Sequence, residues 1–209
     1  MTSAKFDQAA CEALAQQVRE IESNTDAEIV IVVRARSGDY RHADYLFGAL
    51  LALAGLLFVL FSPFDFHTYW VPLDVALLFA IGAFGSSRSN RIRRLLTTKK
   101  FRAKAARTGA AAMFYEAGIA NTHEENGLLI YLSLLEQRLE VIADRGILTS
   151  VPALAWNQAL FELKQAGRRA NPESLVKALR DLGTLLQKHK PATGENPNEL
   201  PDMPRFELK

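Results

Sequence analysis

Two apolar runs decide how this chain reads: YLFGALLALAGLLFVLFSP, Tyr45 to Pro63, and TYWVPLDVALLFAIGAFGSS, Thr68 to Ser87. The first carries no charge, and the second carries one acid, Asp74, near its start. A helix needs about 20 mostly apolar residues to cross a bilayer core, and about 17 are tolerated. Both runs reach that range, and a helix satisfies its own backbone groups in lipid where a lone strand cannot. The linker between them, Ser62 to His67, is too short for a domain and predicts a tight hairpin. The other reading is a buried helical pair in a soluble protein, which Pro72 and Asp74 favour. Against it, nothing else in the chain is large enough to surround two all-apolar helices. Tyr69 and Trp70 suit an interfacial belt, and from there Asp74 reaches headgroup water.

The flanks of the two runs carry charge of one sign. Arg34, Arg36 and Arg41 precede them, and Arg88, Arg91, Arg93, Arg94, Lys99, Lys100, Arg102, Lys104 and Arg107 follow. No Asp or Glu occurs from Val75 to Tyr115, and the loop between the runs has neither Lys nor Arg. The positive-inside rule then predicts a multi-pass protein of the inner (cytoplasmic) membrane with both termini cytoplasmic. The basic stretch itself reads as a topology signal, a contact with anionic lipid, or a nucleic-acid patch. Only Phe101 interleaves with it, so bases lack a stacking platform and no nucleic acid is expected as a partner. The expected partners are the lipid bilayer and a membrane protein.

Around the hairpin, 209 residues leave room for one further domain. Net charge is only +2, so its uneven distribution matters more than its sum. The single cysteine, Cys11, excludes an intrachain disulfide and a cysteine metal cluster. MTSAKFDQAACEALAQQ lacks the basic-then-apolar order of a signal peptide. It reads instead as a helix capped by Thr2 or Ser3 and running to about Glu22, with Phe6, Ala10, Leu14, Val18 and Ile21 on one face. EIVIVV, Glu28 to Val33, reads as a buried strand. After the hairpin comes a basic continuation to Leu96, then a helix from about Thr98 to Ala117 ended by Gly118. A second buried strand, LLIYL, follows Gly127. RLEVIAD, from Arg138, alternates as a third strand, and the four-residue connection makes these two an antiparallel pair. Strands 1 and 2, joined through a helix, are predicted parallel. Ser150 is read as the cap of a helix over 151–166, and Asn171-Pro172 as the start of another in which Leu175, Leu179, Leu182 and Leu186 align. The predicted organisation is 1–44 (first helix and strand), 45–87 (transmembrane hairpin), 88–190 (remainder of the domain) and 191–209 (a Pro/Asn-rich tail, mobile or docked as extended chain).

ESNTDAEIVIVV (Glu22 to Val33) followed by NGLLIYLSLLEQRLEVIADRGI (Asn126 to Ile147) resembles the TPM-domain family. The WNQAL and LRDLGTLL helices are similar to its C-terminal half, and NELPD (Asn198 to Asp202) to the tail of its bacterial membrane-bound branch. The resemblance implies an α/β fold, a small mixed sheet sandwiched by helices, here with a two-helix transmembrane hairpin inserted after the first strand. It implies a membrane-associated domain that assists another protein. Some members bind calcium, and one has weak acid phosphatase activity. By position, Glu28 matches the family's strand acid, Glu125-Asn126-Gly127 its acidic turn, and Asp144-Arg145-Gly146 the loop after the third strand. Glu stands in that turn where the family has Asp, and the hairpin interrupts the domain instead of anchoring one end.

The strand directions bring Glu28, Glu124, Glu125 and Asp144 to one sheet edge. Converging carboxylates there form a candidate metal site, Glu28, Glu125 and Asp144, for Ca²⁺ or Mg²⁺. The alternative is a set of solvated strand-end residues paired with Arg138 or Arg145. His42, His67, His123 and His189 show no ligand spacing, and neither a phosphate-binding glycine loop nor a G-x-S-x-G elbow occurs. The chain therefore reads as a non-catalytic accessory or scaffold module for a membrane protein partner. A weak metal-dependent phosphatase using the acidic edge is the alternative.

Overall fold

The computed structural model describes residues 8–122, 124–169, 171–194, 200 and 204–207; the readings made at Thr2, Ser3, Phe6, His123 and all of 198–202 but Leu200 lie outside these. The chain forms two compact units, one of residues 1–37 with 103–209 and the other of residues 38–102.

The first unit contains α1 (Gln8–Glu22), β1 (Glu28–Arg34), the body of α5 (Lys99–Glu116), β2 (Gly127–Ser133), β3 (Arg138–Ala143), α6 (Arg145–Ser150), α7 (Ala153–Arg169), α8 (Pro172–His189) and β4 (Arg205–Glu207). Its sheet has the order β3-β2-β1-β4. β1 and β2 are parallel, with Glu28 opposite Gly127 and Arg34 opposite Ser133. β2 and β3 are antiparallel. This is a small mixed sheet flanked by helices, as the strand directions predict. Ile29, Ile31 and Val33, with Leu128, Ile130 and Leu132, pack on Leu14, Val18, Leu163, Leu179 and Leu182 from α1, α7 and α8. Val30, Val32, Leu129 and Tyr131 face Ala110, Met113 and Phe114 of α5. Because both faces are covered, the two central strands are continuous apolar runs without polar alternation. Each fully buried Ile or Leu adds about 1.5–3 kcal/mol.

The extended docking of the tail is located, and two local readings are corrected. The tail segment Arg205–Glu207 is a fourth strand, parallel to β1 on its outer edge. Arg34 pairs with Glu207 there; burial acts to lower the Arg34 pKa, but hydrogen bonds to Glu207 and Tyr131 outweigh it and raise the pKa. Ser150 does not cap a helix. It ends α6, its Oγ donating to Gly146 O at 2.7 Å, while Asp144 caps that short helix and α7 begins at Ala153. The basic segment after the second apolar run is no continuation, because the chain bends by 103° before α4 (Asn90–Leu96). Ser89 Oγ accepts from Ile92 N at 3.4 Å and starts α4 afresh.

The second unit holds α2 (Arg41–Phe61), α3 (Val71–Ser87) and α4. α2 and α3 lie close enough that a Cβ on Gly82 would stand 2.9 Å from Gly48 Cα, and one on Gly48 2.6 Å from Phe79 O. Glycine at both places lets the backbones approach. The multi-pass placement with both termini in the cytoplasm is overturned. Among the described residues only α2 is by itself long and apolar enough to cross a membrane. The second run loses its first residues to the turn at His67–Trp70, which leaves α3 with 17 residues. α3 passes the same test only when joined to α4 across the bend.

Candidate functional site

The predicted acidic edge forms in part. β1 and β2 bring Glu28 beside Gly127, and Asp144 N–H donates to Gly127 O at 2.9 Å, so the three segments meet as the topology requires. Their carboxylates are used separately. Glu28 is buried, and its Oε2 accepts from Leu200 N at 3.2 Å, which fixes the returning tail over the α5 face of the sheet. Asp144 Oδ1 accepts from Arg145 N at 2.8 Å as the cap of α6. Glu125 is exposed and sits at φ 53°, where the turn needs the left-handed region, and its carbonyl accepts from Gly146 N at 2.9 Å. Glu124 binds Asn126 Nδ2 at 3.0 Å and Lys190 Nζ at 3.5 Å. Lys190, from the end of α8, is a cation that reaches this loop.

Gly146 is a tight point of this edge. A Cβ there would lie 2.6 Å from Glu124 O and 2.7 Å from Glu125 O, so only glycine lets the turn close on α6. Among the described residues no group of three or more His, Cys, Asp or Glu side chains is placed to hold a metal ion. A hard cation wants about 6–8 oxygens. Glu28 is turned to Leu200 and Asp144 Oδ1 to its own helix, while among the described residues Asp144 Oδ2 and Asn126 Oδ1 are buried without a hydrogen-bond partner.

The opposite end of the parallel pair carries a polar network that sequence reasoning missed. Ser37 Oγ lies 2.8 Å from Tyr131 Oη and 2.6 Å from Ser133 Oγ. The buried Glu136 carboxylate accepts from Ser37 N at 2.9 Å and from Ser133 Oγ. Leu134 N and Leu135 N extend the pairing by donating to Arg34 O and Ala35 O. Every polar group just named has a partner, and that satisfaction makes the network a latch on the strand ends.

In the second unit the exposed surface is largely apolar. Most of α2 is bare: of its most apolar 18-residue window, 17% is buried. Leu46, Leu50, Leu53, Leu57 and Phe58 are all exposed. At its first turn the character changes. Arg93 Nε and Nη2 donate to Asp44 at 2.9 and 2.6 Å, and Ser86 Oγ donates to the same carboxylate at 2.9 Å, all buried. Asp44 immediately precedes the first apolar run, but its partner comes from a helix far along the chain, a pairing that no local spacing announces. Half-burial, helped by the charge of Arg102, lowers the pKa of Arg94.

No protein-family model matches this chain, and no curated protein matches it. Among solved structures, its fold is similar to that of the BA42 protein from the psychrophilic bacterium Bizionia argentinensis, determined by NMR. The TM-score is 0.58 with 16% identity, over 96% of this chain and 94% of that one. At that identity the likeness concerns fold alone.

Proposed function

We propose that this chain is a non-catalytic accessory module of TPM type that associates with a lipid bilayer through the apolar helix α2 and serves a membrane protein partner. The observation that carries the reading is the bare apolar surface of α2. A core helix would be covered, whereas this one leaves leucines and phenylalanines exposed along 21 residues. Exposed apolar surface of that extent marks a protein or membrane contact. The order of acidic strand, turn and basic strand supports the TPM assignment, and the engaged state of Glu28 and Asp144 supports a supporting role over hydrolysis. The rival phosphatase reading needs Glu28, Glu125 and Asp144 to act on one ion, and two of those three carboxylates already serve the fold.

The test is alkaline carbonate extraction of membranes carrying the full chain. The wild type is expected to stay in the pellet. Leu53→Lys with Leu57→Lys, on the exposed flank of α2, is expected to move it to the supernatant while circular dichroism of the α/β unit is unchanged. Wild-type protein released by carbonate overturns the membrane reading. Hydrolysis of p-nitrophenyl phosphate that depends on Mg²⁺ or Ca²⁺ and vanishes in Glu28→Gln overturns the non-catalytic one.

A further inference from the structure

We propose that the basic side chains gathered at the first turn of α2 form a binding surface for anionic phospholipid headgroups, a proposal that rests on the membrane reading above. At about 1.5 Å per residue, the 21 residues of α2 measure about 31 Å, close to the roughly 30 Å hydrocarbon core. A helix that fills the core puts its ends at the two interfaces. The two ends of α2 differ in chemistry. From His42 to Ser87 there is no Lys or Arg, so the Phe61 end is aromatic, with Phe64, Tyr69 and Trp70 exposed.

The Arg41 end is cationic because of one buried contact. The double hydrogen bond from Arg93 to Asp44 pins α4 beside the first turn of α2, and the 103° bend turns α4 off the axis of α3. α4 therefore lies at the level of the interface instead of prolonging the apolar run. Arg93 is consumed by Asp44, and Arg41 lies 3.6 Å from Asp39. Arg88, Arg91, Lys99 and Lys100 remain exposed around them, in a stretch with no carboxylate from Val75 to Tyr115. The Arg88 guanidinium lies 4.5 Å from the centroid of the Phe84 ring, at the very end of the apolar surface. Leu95, four residues after Arg91 and so on its face of α4, is 85% exposed. A leucine and an arginine on one exposed face suit a helix lying in the headgroup layer. Single-stranded nucleic acid would need stacking platforms, and Phe101 is occupied by Tyr40 and His42 at 5.7 and 4.9 Å. Charge complementarity selects the anionic lipid surface.

The test is flotation of the purified full chain with vesicles of phosphatidylcholine alone and of phosphatidylcholine with one fifth phosphatidylglycerol. Each basic residue near the surface contributes about fivefold to binding anionic lipid. Wild type is expected to favour the anionic vesicles by tenfold or more at low salt, the preference shrinking as salt screens it. Arg91→Ala with Lys99→Ala and Lys100→Ala is expected to remove most of that preference while binding to neutral vesicles is kept, which also reports an intact fold. Equal binding of wild type to both vesicles, or a preference that survives the triple substitution, overturns the headgroup surface and leaves the membrane reading standing. Absence of binding to either vesicle overturns both. Single-stranded RNA that displaces the protein from anionic vesicles at equimolar concentration assigns the surface to nucleic acid and overturns the lipid assignment.

Discussion

Gly109 sits in the middle of α5, where the ordinary effect of Gly→Ala is a gain of about 1 kcal/mol in helix propensity. Here the sign is expected to reverse. A Cβ at that position would lie 2.7 Å from Tyr131 Oη and 3.2 Å from Ser37 Cβ. Tyr131 is fully buried and its hydroxyl is held by Ser37, so it is not a flexible chain end that swings aside. Overpacking a close-fitting core costs about 1–3 kcal/mol, and losing the Ser37–Tyr131 hydrogen bond adds about 1 kcal/mol. Net destabilisation of about 1–3 kcal/mol should lower Tm by several degrees. Tyr131→Phe supplies the internal control. Alone it costs roughly 1 kcal/mol for the lost hydrogen bond, but it removes the atom at 2.7 Å, so Gly109→Ala added to it should cost little. The assay is thermal unfolding by the fluorescence of Trp156, in a Trp70→Phe background so that only the α/β unit reports. A Tm raised by Gly109→Ala, or strictly additive effects of the two substitutions, would refute the described packing of α5 on the latch.

Two further outcomes are expected. Arg93→Met leaves the buried Asp44 carboxylate without its guanidinium and should destabilise the helical unit by about 3–5 kcal/mol, whereas Asp44→Asn with Arg93→Met should recover most of the loss; amide hydrogen exchange along α4 reads the difference. Titration with Ca²⁺ or Mg²⁺ to millimolar levels should leave the Tm of the α/β unit unchanged, since Glu28 is engaged by Leu200 and Asp144 by Arg145; a rise abolished by Glu28→Gln with Asp144→Asn would restore the metal reading.

The parts of the fold visible in the sequence are those that repeat a period or fill a run. EIVIVV and LLIYL are apolar without alternation because both faces are covered, and the leucines of α8 repeat along one face, so the central strands and that helix were legible. β4 was legible only as one of two readings of the tail, docked extended chain, and its place was not, since three residues ending in Arg and Glu carry no period and pair only because β1 leaves an edge open. The bend before α4 was hidden for a related reason. Ile92, Leu95 and Leu96 continue the helical spacing of α3, and only Ser89 as a cap and the distant Asp44 turn the chain aside. Topology correctly brought Glu28, Glu125 and Asp144 to one edge. Where each carboxylate points was decided by Leu200, a residue more than 170 positions away from Glu28, and by the local demand of α6 for a cap.

The position of the hairpin in the chain follows from the same contacts. Residues 38–102 interrupt the connection between β1 and β2, the central parallel pair, and parallel strands already need a long crossover. Closing a longer loop costs only about 0.6 kcal/mol for each doubling of its length, so the insertion adds little to the entropy already spent. What it does threaten is the register at the end of β1, where the chain leaves for the helices. That end is where the Ser37 latch is found. Ser37 N–H and Oγ bind Glu136, Tyr131 and Ser133, and the Arg34 and Ala35 carbonyls take the amides of Leu134 and Leu135. The last residue of the first unit before the insertion is thus tied to β2 and the turn after it.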